Sequence, residues 1–114
     1  MTQHESLPPE SWARFDLGQQ ILQIAAEMQR ALKFLRVDRS DQLHGCYERA
    51  LGLVDLTIQV QADPHLRREL VPLRDLIAQL LQRAEPDSSA HRQALRALLH
   101  LHPVSAEQVA ILGL

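Results

Sequence analysis

The stretch Asp41-Gln-Leu-His-Gly-Cys-Tyr-Glu-Arg-Ala-Leu-Gly-Leu-Val-Asp-Leu-Thr-Ile-Gln-Val-Gln61 decides the fold. On a wheel of about 100° per residue its apolar side chains run from Leu56 through Leu53, Cys46, Leu43, Val54 and Ile58 to Leu51, an arc of roughly 220°. A helix resting on a surface needs a much narrower stripe. This one is expected to lie at the centre, with neighbours on two flanks. The remaining edge holds His44, Glu48, Asp55 and Gln59, with Gly45 and Gly52 in line two turns apart.

Upstream, Met1 to Glu10 is polar and carries Pro8 and Pro9, which predicts a tail followed by one domain over residues 11–114. Ser11, or Asp16 with Gln19, is placed to cap a first helix running to about Val37. Leu17, Ile21, Ile24, Ala25, Met28, Ala31, Leu32 and Leu35 fill half of its wheel, and Phe34 falls off that stripe. Gly18 sits on the apolar half, where its cost of about 1 kcal/mol relative to alanine points to close helix approach. Asp38-Arg-Ser-Asp41 offers two caps in a turn short enough to force an antiparallel return.

Downstream, Asp63-Pro64 restarts a helix with the cap first and proline at the first position. Leu66, Leu70, Leu73, Ile77, Leu80 and Ala84 make a seam of bundle type, which Pro72 is expected to kink or to end near Val71. A fourth helix spans Ala90 to about Leu101, with Arg92, Arg96 and His100 in one outward line. After Pro103, Ser105 with Gln108 has the spacing of a capping box, and Val104 with Val109 that of a hydrophobic staple. They predict a short last helix ending in Ile111, Leu112 and Leu114, apolar residues that need a cover. The expected fold is all-α: an antiparallel four-helix bundle with a short C-terminal fifth helix.

The totals agree with one helical domain. A chain of 114 residues buries about two thirds of its unfolded surface without a metal or disulfide. Aromatics at 4% make the core aliphatic. The formal charge of −2 gives no general attraction to nucleic acid or anionic lipid. Cys46 is the one cysteine, on the apolar arc, which excludes an internal disulfide and reads as an inert buried thiol. The N-terminal residues lack the basic and apolar regions of a secretory signal, and no run reaches about 18 apolar residues, so the default compartment is the cytoplasm. The Arg- and Leu-rich, Lys-poor composition is compatible with a bacterial source.

Two resemblances come from short motifs. Ala31 and Phe34, followed by Tyr47-Glu-Arg-Ala-Leu51, resemble one tetratricopeptide hairpin. The segment departs from that pattern at Asp38 and Leu43, and no second copy follows about 34 residues later, so it implies a shared packing solution and no function. Arg39-Ser-Asp-Gln-Leu-His44 resembles the R-x(4–6)-H element of HEPN-type ribonucleases, with Tyr47 one residue later than in the R-x4-H-x-Y version. That resemblance implies a ribonuclease or toxin–antitoxin component in which Arg39 and His44 act on the scissile phosphate and ribose hydroxyl across a dimer. Arg96 and His102 have a comparable spacing, and the motif falls earlier in the chain than that family usually carries it.

No phosphate-binding glycine loop, nucleophile elbow or paired carboxylates appear, which weighs against a conventional enzyme and implies no cofactor. His91 and His102, on or beside the apolar side of the fourth helix, lack the H-x-x-x-H spacing of a metal site and read as core or boundary residues. The cationic line Arg92, Arg96 and His100, and a second one of Arg67 and Arg74, are weak anion patches, since no aromatic is interleaved to stack a base. Gly45, Gly52 and Leu56 on the wet edge, with Ile111, Leu112 and Leu114, are more than a monomer needs. They mark an interface with a second copy or another helical protein, and the leading expectation is a non-catalytic interaction or regulatory module that self-associates as a homodimer.

Overall fold

The computed structural model describes residues 7–114, and among them it is helical throughout, without a strand. A one-turn α1 (Pro9–Trp12) precedes α2 (Leu17–Ala31), α3 (Ser40–Val60), α4 (Pro64–Gln82), α5 (Ser88–Leu99) and α6 (Pro103–Ile111). The predicted N-terminal tail falls for its first six residues outside the described region. Its end is helical: Pro9 takes the first position of α1, where a missing N–H costs nothing, and Ser11 lies inside that turn rather than capping it.

Local chemistry sets most boundaries. Asp16 and Gln19 close a full capping box: Gln19 N–H donates to Asp16 Oδ1 at 2.8 Å and Asp16 N–H donates to Gln19 Oε1 at 2.9 Å. Asp63 accepts from His65 N–H at 2.9 Å with Pro64 behind it, and Asp87 accepts from Ala90 N–H at 2.9 Å. The helix expected to reach Val37 instead tightens into 3-10 turns at Leu32–Phe34 and again at Val37–Arg39. That tightening brings Phe34, off the α-helical stripe, to pack with Leu35 against the core. Neither expected cap acts at the start of α3, where Arg39 stands without a side-chain cap and Asp38 pairs with Arg36 at 3.0 Å. Pro72 does not end α4. It sits on an exposed side, so the Arg68 carbonyl that loses its helical donor does so near water.

The predicted capping box at Ser105 is not formed. The cap of α6 is His102, whose Nδ1 accepts from Val104 N–H at 3.1 Å, and Pro103 takes the first helical position. Ser105 is fully buried and donates its hydroxyl to the carbonyls of Leu99 (2.7 Å) and His102 (3.0 Å). Moving the cap three residues upstream leaves Val104 on the outer face, so the expected staple with Val109 is lost. At the other end α6 stops in a Schellman motif. Gly113 at φ 70° lets its own N–H reach the Ala110 carbonyl (3.2 Å) and Leu114 N–H reach the Val109 carbonyl (3.0 Å).

α2 packs on α3, α3 on α4, α4 on α5, and α5 back on α2, while α1 rests on α3 and α6 on α2 and α5. The expected centrality of α3 is observed: Leu43, Cys46, Tyr47, Ala50, Leu53, Val54 and Thr57 are buried, and Leu51, Leu56, Ile58 and Val60 are half-buried against the core on either side. Gly18 does serve a close approach, since a Cβ there would stand 3.0 Å from the His102 ring. Trp12 anchors α1 beneath the core. Its indole N–H donates to Thr57 Oγ1 at 3.0 Å, Thr57 donates to the Leu53 carbonyl at 2.7 Å, and Gln20 Nε2 donates to the Trp12 carbonyl at 3.0 Å.

A Thr57→Val substitution keeps the shape but strands the indole N–H, and should destabilise the fold by about 1–3 kcal/mol. Thr57→Ser keeps the hydroxyl and should lose only a buried methyl, about 1 kcal/mol. Urea denaturation followed by far-UV circular dichroism distinguishes the two.

Candidate functional site

Arg39, His44 and Tyr47 do not share an open surface within the protomer. Arg39 is exposed at the start of α3, His44 is half-buried one turn on, and Tyr47 is buried. His44 and Tyr47 both border a crevice between α3 and the connection 83–87, with Arg83 and Asp87 on its far side. Its volume of about 10 Å³ holds at most one water, and Arg39 is not on its wall.

Tyr47 has another partner. Its hydroxyl lies 2.8 Å from His91 Nδ1 on α5, with both groups inside the core. Burial pushes the Tyr47 phenol well above its ordinary value, so it stays protonated, and burial pushes the His91 imidazole below the ordinary 6.5, so it stays neutral. The consistent assignment is a hydroxyl donating to Nδ1 and a proton on Nε2. That Nε2 is buried without a hydrogen-bond partner among the described residues. Tyr47 is thus committed to the interior and is not available to a substrate phosphate.

A second polar cluster explains one of the two glycines. Glu27 on α2 is buried, and both its carboxylate oxygens receive Arg49 Nε from α3 at 3.2 Å, while Arg30 Nη1 adds a contact at 2.7 Å. Arg49 also lies over Cys46 Sγ at 3.5 Å. A Cβ at position 45 would stand 3.3 Å from Arg49 Nη1, so Gly45 makes room for the guanidinium to fold back onto Glu27. Its absent side chain therefore serves an internal ion pair. Gly52 is half-buried, and Leu56 is half-buried against the core. Burial raises the Cys46 thiol above its ordinary value, against the opposing pull of Arg49, which fits an inert sulfhydryl.

The expected cationic line is exposed, and Arg92 Nη2 donates to the Gly113 carbonyl at 3.3 Å, while Arg96 and His100 face solvent. Arg74 is not free to bind an anion, since it pairs with Asp55 at 2.6 Å. Among the described residues no three His, Cys, Asp or Glu side chains gather as metal ligands, and no helix is long and apolar enough to cross a membrane.

The C-terminal residues divide. Leu114 folds back beside Val109 and packs on the core, whereas Ile111 is 73% and Leu112 36% exposed, and Val104 at the other end of α6 is 55% exposed. Val104 and Ile111 are seven residues apart, hence on one side of the helix, with Glu107 and Gln108 between them. The sequence pointed to Ile111 and Leu112 and missed Val104, because the assumed cap at Ser105 turned Val104 inward. A groove between α3 and α4 was also missed. It has a volume of about 310 Å³ and is lined by Ile58, Pro64, Arg67, Arg68 and Val71. Comparison of the chain with models of known families, with curated proteins and with solved structures gives no match.

The neutral buried His91 has a consequence in acid. An unfolded chain takes up a proton at His91 near pH 6.5 while the folded chain does not, so stability from this residue is intact above pH 6.5 and falls below it. The loss is at most about 1.4 kcal/mol per pH unit. Thermal melts between pH 7.5 and 5 should show this slope, and His91→Gln should flatten it. For the ribonuclease pattern, an RNA-cleavage assay on wild type and His44→Ala should give the same background rate; a loss confined to the variant would restore Arg39 and His44 as catalytic candidates.

Proposed function

We propose that this protein is a non-catalytic interaction module that self-associates through the outer face of α6. The architecture behind this reading is an antiparallel four-helix bundle of α2 to α5, on which α6 lies as the short C-terminal helix and α1 as a one-turn brace. The cyclic order of packing and the ties Glu27–Arg49, Asp55–Arg74 and Tyr47–His91 support that arrangement. A cytoplasmic location and a bacterial source fit the composition and belong to the same proposal.

One observation carries the reading. α6 carries apolar side chains on both sides, yet only one side has a neighbour. Inward, Ser105, Val109 and the returning Leu114 meet α2 and α5. Outward, Val104, Ile111 and Leu112 meet water. Apolar residues grouped on an exposed helix mark a surface that another protein covers. The Schellman turn holds Leu112 and Ile111 in place by fixing the end of the helix, so the face is built rather than frayed.

Light scattering across a concentration series should find a species of at least twice the chain mass. Ile111→Asp should convert it to monomer while changing the unfolding free energy by no more than about 0.5 kcal/mol, since the side chain is exposed in the protomer. A wild-type chain that stays monomeric at high concentration would remove the proposal.

A further inference from the structure

The groove between α3 and α4 matches the outer face of α6 in pattern and in charge. On α4, Pro64, Arg67, Arg68 and Val71 fall at i, i+3, i+4 and i+7, and so make one stripe, apolar at both ends with two cations in the middle. On α6, Val104, Glu107, Gln108 and Ile111 fall at the same spacings, apolar at both ends with an acid and an amide in the middle. Each stripe extends over about 10 Å. Arg67, Arg68 and Glu107 are exposed, and none is in an ion pair among the described residues, whereas Arg74 and Asp55 close by are already paired. Ile58 supplies an apolar floor that α4 alone would lack.

We infer that the α3–α4 groove is the receptor for α6 of a second copy, with Glu107 set between Arg67 and Arg68 and with Val104 and Ile111 against Pro64, Ile58 and Val71. This inference rests on the self-association reading and names its partner surface. α6 lies over α2 and α5, whereas the groove lies between α3 and α4 on the other side of the packing cycle. Each copy therefore gives α6 from one side and receives α6 on the other, a heterologous contact that repeats head to tail instead of closing on a two-fold axis.

Charge reversal tests the pairing. Sedimentation velocity is run on the full chain, on Glu107→Arg, on the double variant Arg67→Glu with Arg68→Glu, and on the triple variant carrying all three. Each half-reversed protein should bind itself at least about tenfold more weakly, because like charges then face one another. The triple variant should recover most of the affinity, which a merely misfolded chain would not do, and circular dichroism melts should be unchanged throughout. A wild-type assembly indifferent to both half-reversals, or a triple variant no better than either half, would overturn the groove assignment and leave self-association standing. A monomeric wild type would overturn both.

Discussion

The hydrogen bond between Tyr47 and His91 joins the two helices that lie across the core from each other. α3 and α5 pack chiefly on α2 and α4 rather than on one another, so their side chains meet only in the middle. A tyrosine and a histidine placed there each bring a polar atom into a dry interior, and each is stabilised by the other at 2.8 Å. Neither group ionises readily in that setting, and together they fix how far apart the two helices stand. The open Nε2 of His91 is what this arrangement costs.

Around that bond α3 makes one polar contact with each of its other neighbours. Thr57 receives Trp12 from α1, Arg49 reaches Glu27 on α2, and Asp55 holds Arg74 on α4. Apolar packing alone would let a smooth aliphatic helix slide or rotate among equivalent positions. Directional pairs at four places along α3 select one register. The same residues consume most of the chemistry that looked available for function. Tyr47 is spent on the core, Gly45 on the Arg49 fold-back, and Arg74 on Asp55. Among the described residues, the large apolar side chains left exposed include Val104, Ile111 and Leu112 on α6, Val37 ahead of α3 and Val71 on α4, where Arg67 and Arg68 stand outside any ion pair.

The helical class and the central place of the segment from Asp41 to Gln61 were legible because an apolar arc that wide can be covered only by neighbours on two flanks. The Asp16 capping box, the Asp63-Pro64 restart and the role of Gly18 were also legible, since each is a local rule that tertiary contacts did not contradict. Where a tertiary contact competed, the local rule lost. Ser105 has the side chain and spacing of a cap, but its hydroxyl is drawn to the Leu99 carbonyl across the α5–α6 turn, and His102 caps instead. Tyr47 has the position of a catalytic motif, but only the fold reveals that His91 stands opposite. Trp12 lies just past the stretch read as a tail, where no apolar periodicity yet singles it out, although a lone tryptophan three residues after Pro9 was the available signal. The groove combines residues from two helices, Ile58 with Pro64 and Val71, and no single stretch of sequence displays it.

Self-association requires that the outward side of α6 be covered when the protein is at work. Amide hydrogen exchange over Val104–Ile111, followed by mass spectrometry at increasing protein concentration, addresses this without altering a residue. A helix whose exposed face docks on another copy opens less often as the complex fills. The expected result is protection that rises with concentration in α6 and in the first turns of α4, with α2 unchanged. Exchange in α6 that is the same at every concentration would contradict a face built to be covered by another copy of the chain.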